Sequence, residues 1–193
     1  MKKISNFPLM IRNLLRTTLL KRGNTSDLTR WQAEKHLSLD WMPRAQQIAS
    51  LVPPGSSVLE FGAGRMTLTG LLPASCSYTP SDIVDRGRGT IVCDLNAPTL
   101  PFFPPHQVAV FSGVLEYVQD VPRLIAHLSR NIQVFVVSYA ILENHKNRLI
   151  RRTSGWVNDY DSNSLEDIFR QNGFHTDHTE IWRSQKIFRF VKN

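Results

Sequence analysis

The segment Val58-Leu-Glu-Phe-Gly-Ala-Gly64 puts an acid, Glu60, near the end of a short apolar run and follows it with two glycines, Gly62 and Gly64. At the carboxyl end of a buried strand, such a turn lets a ligand approach the backbone, and the acid can accept a hydrogen bond from a cationic group. The dinucleotide fingerprint GxGxxG would need a small residue at position 67; Thr67 stands there, which disfavours a pyrophosphate-binding turn. Asp82 lies 20 residues beyond Gly62, at the end of the next expected strand, where a carboxylate can take both hydroxyls of a ribose. Asp94, in VCDLN, ends a third strand and could accept from an exocyclic amine. Ser112-Gly-Val-Leu-Glu-Tyr117 then follows a fourth.

Four elements in this order, each at a strand's carboxyl end, resemble the class I S-adenosylmethionine-dependent methyltransferases of the small-molecule type. These carry an E/DxGxG turn, an acidic second strand and a VLEH-like fourth motif. The resemblance covers roughly residues 40 to 182. It implies S-adenosylmethionine as cofactor, with Glu60, Phe61, Gly62, Ala63 and Gly64 at its methionine end. Asp82 and Ile83 would meet the ribose, Asp94 and Leu95 the adenine, and Ser112, Gly113, Val114 and Leu115 would line the region beneath the methyl group. Three positions depart from the family pattern. Met66 stands where the first motif has its third glycine, Tyr117 replaces the His of VLEH, and the 11 residues between Asp82 and Asp94 are too few for the usual helix.

Methyl transfer from a sulfonium is an in-line displacement with a good leaving group, so positioning supplies most of the rate and a general base is optional. No base is assigned. His36, Tyr139, His145 and Tyr160, with Trp31 and Trp156, are candidates because they fall on segments expected to form the mouth of the site. The stretch 141–160 resembles the family's variable substrate cap, and its bases Lys146, Arg148, Arg151 and Arg152 would suit an anionic acceptor.

The elements that must position these groups follow from apolar spacing. Recurrence at 7, 10, 11, 14, 15 and 19 predicts a helix over Phe7–Leu20 with bases along its edge, and a second helix is expected over about 40–52. Strands are expected at 57–61, 77–84, 90–94, 107–112 and 131–140, with helices at 65–72 and 121–130 between them. A helix in SLEDIFRQNGF is expected to be capped by Ser164 and stopped by Gly173, and strands over about 174–182 and 186–192 would form a closing hairpin. The predicted fold is α/β: a Rossmann-like, seven-stranded, mainly parallel sheet with helices on both faces and a C-terminal antiparallel hairpin. Residues 1–29 are expected to form a basic amphipathic arm, and the resemblance implies a methyltransferase domain over 30–193.

The chain has 193 residues, 41% of them hydrophobic, enough for one core. Its net charge is +7, but residues 1–30 hold seven bases and one acid, so the body is close to neutral. That argues against nucleic acid as partner, as does SGVLEY where amino-methyltransferases of bases carry DPPY or NPPF. Cys76 and Cys93 have no zinc-type spacing, no metal is expected, and reduced thiols fit a cytoplasmic protein. Arg12 and Arg16 interrupt the first apolar stretch, which disfavours a secretory signal. The partner expected is a small or carrier-linked acceptor that takes the methyl group on O, N or C. Two other classes remain open: a non-catalytic scaffold that kept the fold, and an RNA methyltransferase. The arm has two readings of its own. Either it packs its apolar stripe on the domain, or residues 1–22 lie on an anionic membrane surface such as the inner membrane face.

Overall fold

The computed structural model describes residues 7–193; the expected contribution of Lys2 and Lys3 to the arm lies outside the described residues. Seven strands form one sheet: β1 (Ser57–Phe61), β2 (Ser77–Asp82), β3 (Ile91–Val92), β4 (Val108–Ser112), β5 (Val134–Tyr139), β6 (Phe174–Trp182) and β7 (Gln185–Lys192). Their order is β3-β2-β1-β4-β5-β7-β6, parallel through β5 and antiparallel for β7 and β6, as expected. Chain order reverses between β1 and β4, and in open α/β sheets ligands bind in the crevice outside the carboxyl ends at that point. The register aligns those ends, pairing Phe61 with both Ser81 and Phe111.

Alternation along the strands sends two sets of side chains to opposite faces. Val58, Val108, Val110, Val134, Val136 and Ile187 pack with Ile48 and Ala49 of helix α3 (Met42–Ser50). Leu59, Phe61, Ala109, Phe111, Phe135 and Val137 pack beneath α4 (Val121–Leu128) and α6 (Ser162–Arg170). Phenylalanines tie the second layer together: Phe61 stacks on Phe111 at 4.7 Å, and Phe169 stacks on Phe190 at 3.8 Å. Burial on both faces is what a parallel sheet requires.

Two expectations are corrected. The helix expected at 65–72 is a single 3₁₀ turn, Thr67–Gly70. Met66 sits at φ 55°, in the left-handed region, so a right-handed helix cannot start before it, and Pro73 follows shortly after Gly70. The cap of α6 is Asp161, whose carboxylate accepts from Ser164 N–H; Ser164 lies inside the helix. Gly173 does end that segment, at φ 84°. No helix joins β2 to β3, as the short spacing implied; a loop carries the parallel crossover.

Helix α1 (Phe7–Arg22) lies against α5 (Arg148–Thr153), so the arm does pack on the domain. Its buried contact is Thr17, and Leu20 O accepts from the Gln119 amide. A short helix α2 (Leu28–Gln32) follows, capped by Asp27, which also pairs with Arg16.

The segment 141–160 is pinned by Arg151, which is fully buried. Its guanidinium donates to Asp159 Oδ1 at 2.9 Å, Ala140 O at 2.6 Å, Tyr139 Oη at 3.0 Å and Asn158 O at 3.1 Å. Removing one partner of such a pair strands the others without water. Arg151→Ala is expected to lower unfolding stability by about 3 to 5 kcal/mol in urea titration. A loss within the scatter of surface substitutions would show that the segment is held by other contacts.

Candidate active site

A cleft with about 1560 Å³ of empty space, part of it open to solvent, lies outside the carboxyl ends of β1, β2 and β4. Glu60, Phe61, Gly62, Ala63, Gly64, Asp82, Ile83, Asp94, Leu95, Ser112, Gly113 and Val114 all line it. Leu115 does not: it is fully buried in the core layer under α4, because the chain turns inward there into a 3₁₀ turn, Leu115–Tyr117.

The glycine turn is held by Asp82. Gly64 N–H donates to Oδ2 at 2.9 Å, Val84 N–H donates to Oδ1 at 2.9 Å, and Arg86 approaches Oδ1 at 3.3 Å. Gly62 has no substitute at its position, since its φ is 65° and a Cβ there would stand 2.5 Å from Val114 Cγ2. Met66 also stands in the left-handed region, at φ 55° and a backbone cost of roughly 1 to 2 kcal/mol.

Glu60 is buried and accepts a hydrogen bond from the Tyr78 hydroxyl. Burial pushes its carboxyl up to about 8, although the Tyr78 hydrogen bond and nearby Arg44 pull the other way. A carboxyl kept neutral in this way gains a charge when a cation enters beside it. Asp94 Oδ1 accepts from Asn96 N–H at 2.9 Å and from the Ser26 hydroxyl at 2.6 Å, and Ser26 comes from the segment after α1. Leu20, Thr25 and Asp27 line the cleft beside it, so the arm forms one of its walls.

Arg44 was not singled out by its sequence context, yet it lines the floor of the cleft at 4% exposure. Its signal is an arginine one turn before Ile48, on the buried face of α3. The guanidinium donates to Gln185 Oε1 at 2.9 Å and Ser112 O at 3.1 Å and lies against the rings of Trp41 and Trp182. Burial lowers its pKa, opposed first by Glu116. Gly113 gives it room, since a Cβ there would stand 2.6 Å from Arg44 Nη1. Glu116, also fully buried, accepts from Ala140 N–H at 2.8 Å; its Oε2 has no partner among the described residues, and burial raises its pKa.

An aromatic wall closes the opposite side. Trp31 meets Tyr117 edge to face at 4.9 Å, Trp156 Nε1 donates to Tyr117 Oη at 3.3 Å, and Gly155 and Val157 continue the wall. Trp31 and Trp156 thus lie where expected, and Tyr117, in place of the family's His, packs into this wall. The other four catalytic candidates do not reach the cleft. His36 sits in an exposed 3₁₀ turn, and His145 donates to or accepts from Ser184 Oγ on the protein's outside. Tyr139 is fully buried in the Arg151 network, and Tyr160 packs against it. Nor do Lys146, Arg148, Arg151 and Arg152 line the cleft: three of them surround Asp159 at 3.8 Å or less, and the anionic-acceptor expectation loses its basis.

No curated protein matches this chain. Solved structures share its fold at low identity. CalO1, a methyltransferase in calicheamicin biosynthesis solved with SAH bound, is 12% identical, with a TM-score of 0.65 over 97% of this chain and 70% of its own. The 1,6-didemethyltoxoflavin-N1-methyltransferase of Burkholderia thailandensis, with its substrate and S-adenosylhomocysteine bound, is 16% identical, with a TM-score of 0.59 over 79% and 78%. The mitomycin 7-O-methyltransferase MmcR is 12% identical, with a TM-score of 0.63 over 83% of this chain, which spans 56% of MmcR's length. A glycine turn braced by the acid of β2, and two further acids at the neighbouring strand ends, lie within residues 33–179, which match the family described as a methyltransferase domain; the chain belongs to that family.

Proposed function

We propose that this chain is an S-adenosylmethionine-dependent methyltransferase acting on O, N or C of a small or carrier-linked acceptor with an apolar, planar part. The observation that carries this reading is the convergence of Glu60, Asp82 and Asp94 with the Gly62–Gly64 turn on one cleft. The donor set fits the cofactor. Glu60 is a buried carboxyl that has no cation at hydrogen-bond distance among the described residues, suited to the ammonium of the methionine moiety. Asp82 spends one lone pair of each oxygen on the loop, and its remaining acceptor capacity can take ribose hydroxyls. Asp94 Oδ2 makes no hydrogen bond among the described residues and can accept from the adenine amine. Arg44 sits where a carboxylate could meet it.

When bound, S-adenosylmethionine supplies a methyl group on a sulfonium, with a neutral thioether as leaving group. The protein's own work is to bind, align and dry the reactants. Trp31, Tyr117 and Trp156 offer flat apolar surface to the acceptor, and stacking there fixes its plane without a fixed charge. No histidine lines the cleft, in keeping with a displacement whose rate rests on alignment. The low-dielectric floor around Phe61 and Val114 strengthens whatever charge contacts Glu60 and Arg44 make.

The direct test is calorimetric titration with S-adenosylmethionine and S-adenosylhomocysteine. Saturable binding of both is expected, with Asp82→Ala weakening it by roughly ten- to a hundredfold or more and loosening the glycine turn as well. Silence at millimolar ligand would overturn the reading.

Glu60 adds a pH dependence. Its folded pKa, about 8, lies above the ordinary value, so the neutral form is favoured by folding. That contribution is complete below the ordinary carboxylate range and is lost as pH rises through about 8. Ligand ammonium needs the carboxylate, so affinity for S-adenosylhomocysteine should rise with pH between 6 and about 8, by up to about tenfold per unit, with release of a proton. Glu60→Gln should flatten the slope. A wild-type affinity independent of pH over that range would remove Glu60 from the ammonium site.

A further inference from the structure

Helix α1 is apolar on two sides, and the domain covers only one of them. Thr17, at 3% exposure, marks the inner side, with Asn13 and Leu14 partly covered beside it. Ile11, Leu15 and Leu19 are spaced by four residues along the other side and remain 41%, 59% and 66% exposed. That spacing puts them in one row along the helix. Beside α1, α5 leaves Leu149 and Ile150 at 64% and 54% exposure. An isolated exposed leucine needs no explanation, but a row of three on one helix, next to two more on its neighbour, does.

The charges on the two helices have one sign; the acids beside them, Asp27 and Asp159, are paired with Arg16 and with Arg148, Arg151 and Arg152. Neither helix contains an acid, and Arg12, Lys21, Arg22, Lys146 and Arg148 are all exposed around it. Arg12, Lys21, Arg22 and Lys146 form no ion pair among the described residues, and Arg148 shares Asp159 with two other arginines. Partial burial first, then Arg152, pull the Lys21 ammonium below its usual range, with Asp159 opposing. A second copy packed on this surface would gather the exposed bases of both copies around one contact.

We infer that the outer face of α1, extended by Leu149 and Ile150 of α5, docks on an anionic lipid bilayer, with the helix lying in the plane of the surface. The leucine row enters the boundary between headgroups and acyl chains, and the flanking bases meet lipid phosphates. No described helix is long and apolar enough to cross a membrane. The site's mouth shares these elements: Leu20, Thr25 and Ser26, just beyond the leucine row, and Gly155 and Trp156, just after α5, line the cleft. Docking by this face therefore sets the opening beside the lipid, where an apolar acceptor would concentrate. The lipid contact does not depend on the catalytic reading.

The full chain can be sedimented with vesicles of phosphatidylcholine alone and of phosphatidylcholine mixed with phosphatidylglycerol. Binding is expected only to the mixed vesicles and should fall as salt is raised. Arg12→Gln with Arg22→Gln should lower the partition coefficient roughly 25-fold, about fivefold per base, and Leu15→Ser with Leu19→Ser by at least about tenfold. These residues lie outside the cleft, so affinity for S-adenosylhomocysteine should stay unchanged and report an intact fold. Equal binding to both vesicle types, no binding to either, or insensitivity to the two double variants would overturn the proposal. So would a concentration-dependent dimer in ultracentrifugation that the Leu15/Leu19 variant abolishes, since the face would then belong to a second copy.

Discussion

The Asp82 carboxylate is the contact on which the geometry of this site depends. It joins the turn after β1 to the exit of β2 by taking one backbone N–H from each. Ala63 N–H donating to Ser81 O, and Cys93 N–H donating to Asp82 O, extend the same seam to β3. Three strand ends are thereby held as one rim. A carboxylate does this better than a neutral acceptor because hydrogen bonds to an ionised group are shorter and stronger. The glycines can follow the path, but they do not choose it; without Asp82 the freedom that admits φ values of 65° and 51° would also admit others.

A second consequence concerns charge. The rim collects acids at the ends of β1, β2 and close after β3, while Arg44 is held beneath them by stacking between two tryptophans. Buried ions cost several kcal/mol each unless they are paired. This protein answers the cost in two ways. Glu60 becomes a neutral acid, with its proton free to leave when a cation arrives, and Arg44 keeps its charge by hydrogen bonding to Gln185 and to the carbonyl of Ser112. The floor of the cleft thus sets a buried carboxyl that can give up its proton beside a buried guanidinium that keeps its charge. That pairing rests on the placement of two residues sixteen positions apart, on α3 and β1.

What could be read from the chain itself were features with local causes. Short β-rich runs marked β1 and β4 nearly to the residue and placed β5 with a start three residues early, and the acid-glycine turn with Asp82 and Asp94 located the cleft. The errors came where long-range packing decides. Arg151 looked like a free cation in a polar loop, and only the fold reveals that Tyr139, Asn158 and Asp159 converge on it. Tyr139 ends a strand at the ligand edge, but the direction of its ring is set by the parity of the strand, which sends it to the α4 and α6 layer with Phe135 and Val137. Leu115 follows Val114, which lines the cleft, and still turns inward, because one residue of backbone separates rim from core. Arg44 was missed for the opposite reason: helical periodicity marks a buried face, and an arginine on it is read as an exception rather than as part of a site.

The arm unites these observations. A domain whose cleft lies at the carboxyl ends of a parallel sheet needs something to close the side above β3, and the short loop between β2 and β3 has no helix to offer. The segment after α1 fills that place: Ser26 reaches Asp94 and Asn96, and Trp31 reaches Tyr117. Anchoring at its C-terminal end leaves the rest of α1 to satisfy no packing demand from the core beyond Thr17 and its neighbours. The outer row of Ile11, Leu15 and Leu19 is thus not a by-product of wall building, because polar residues there would close the cleft equally well. A helix that needed only to pack inward would be expected to carry its charges on the outer face; here the bases flank an apolar row instead, which is the pattern of a helix with a second surface to meet.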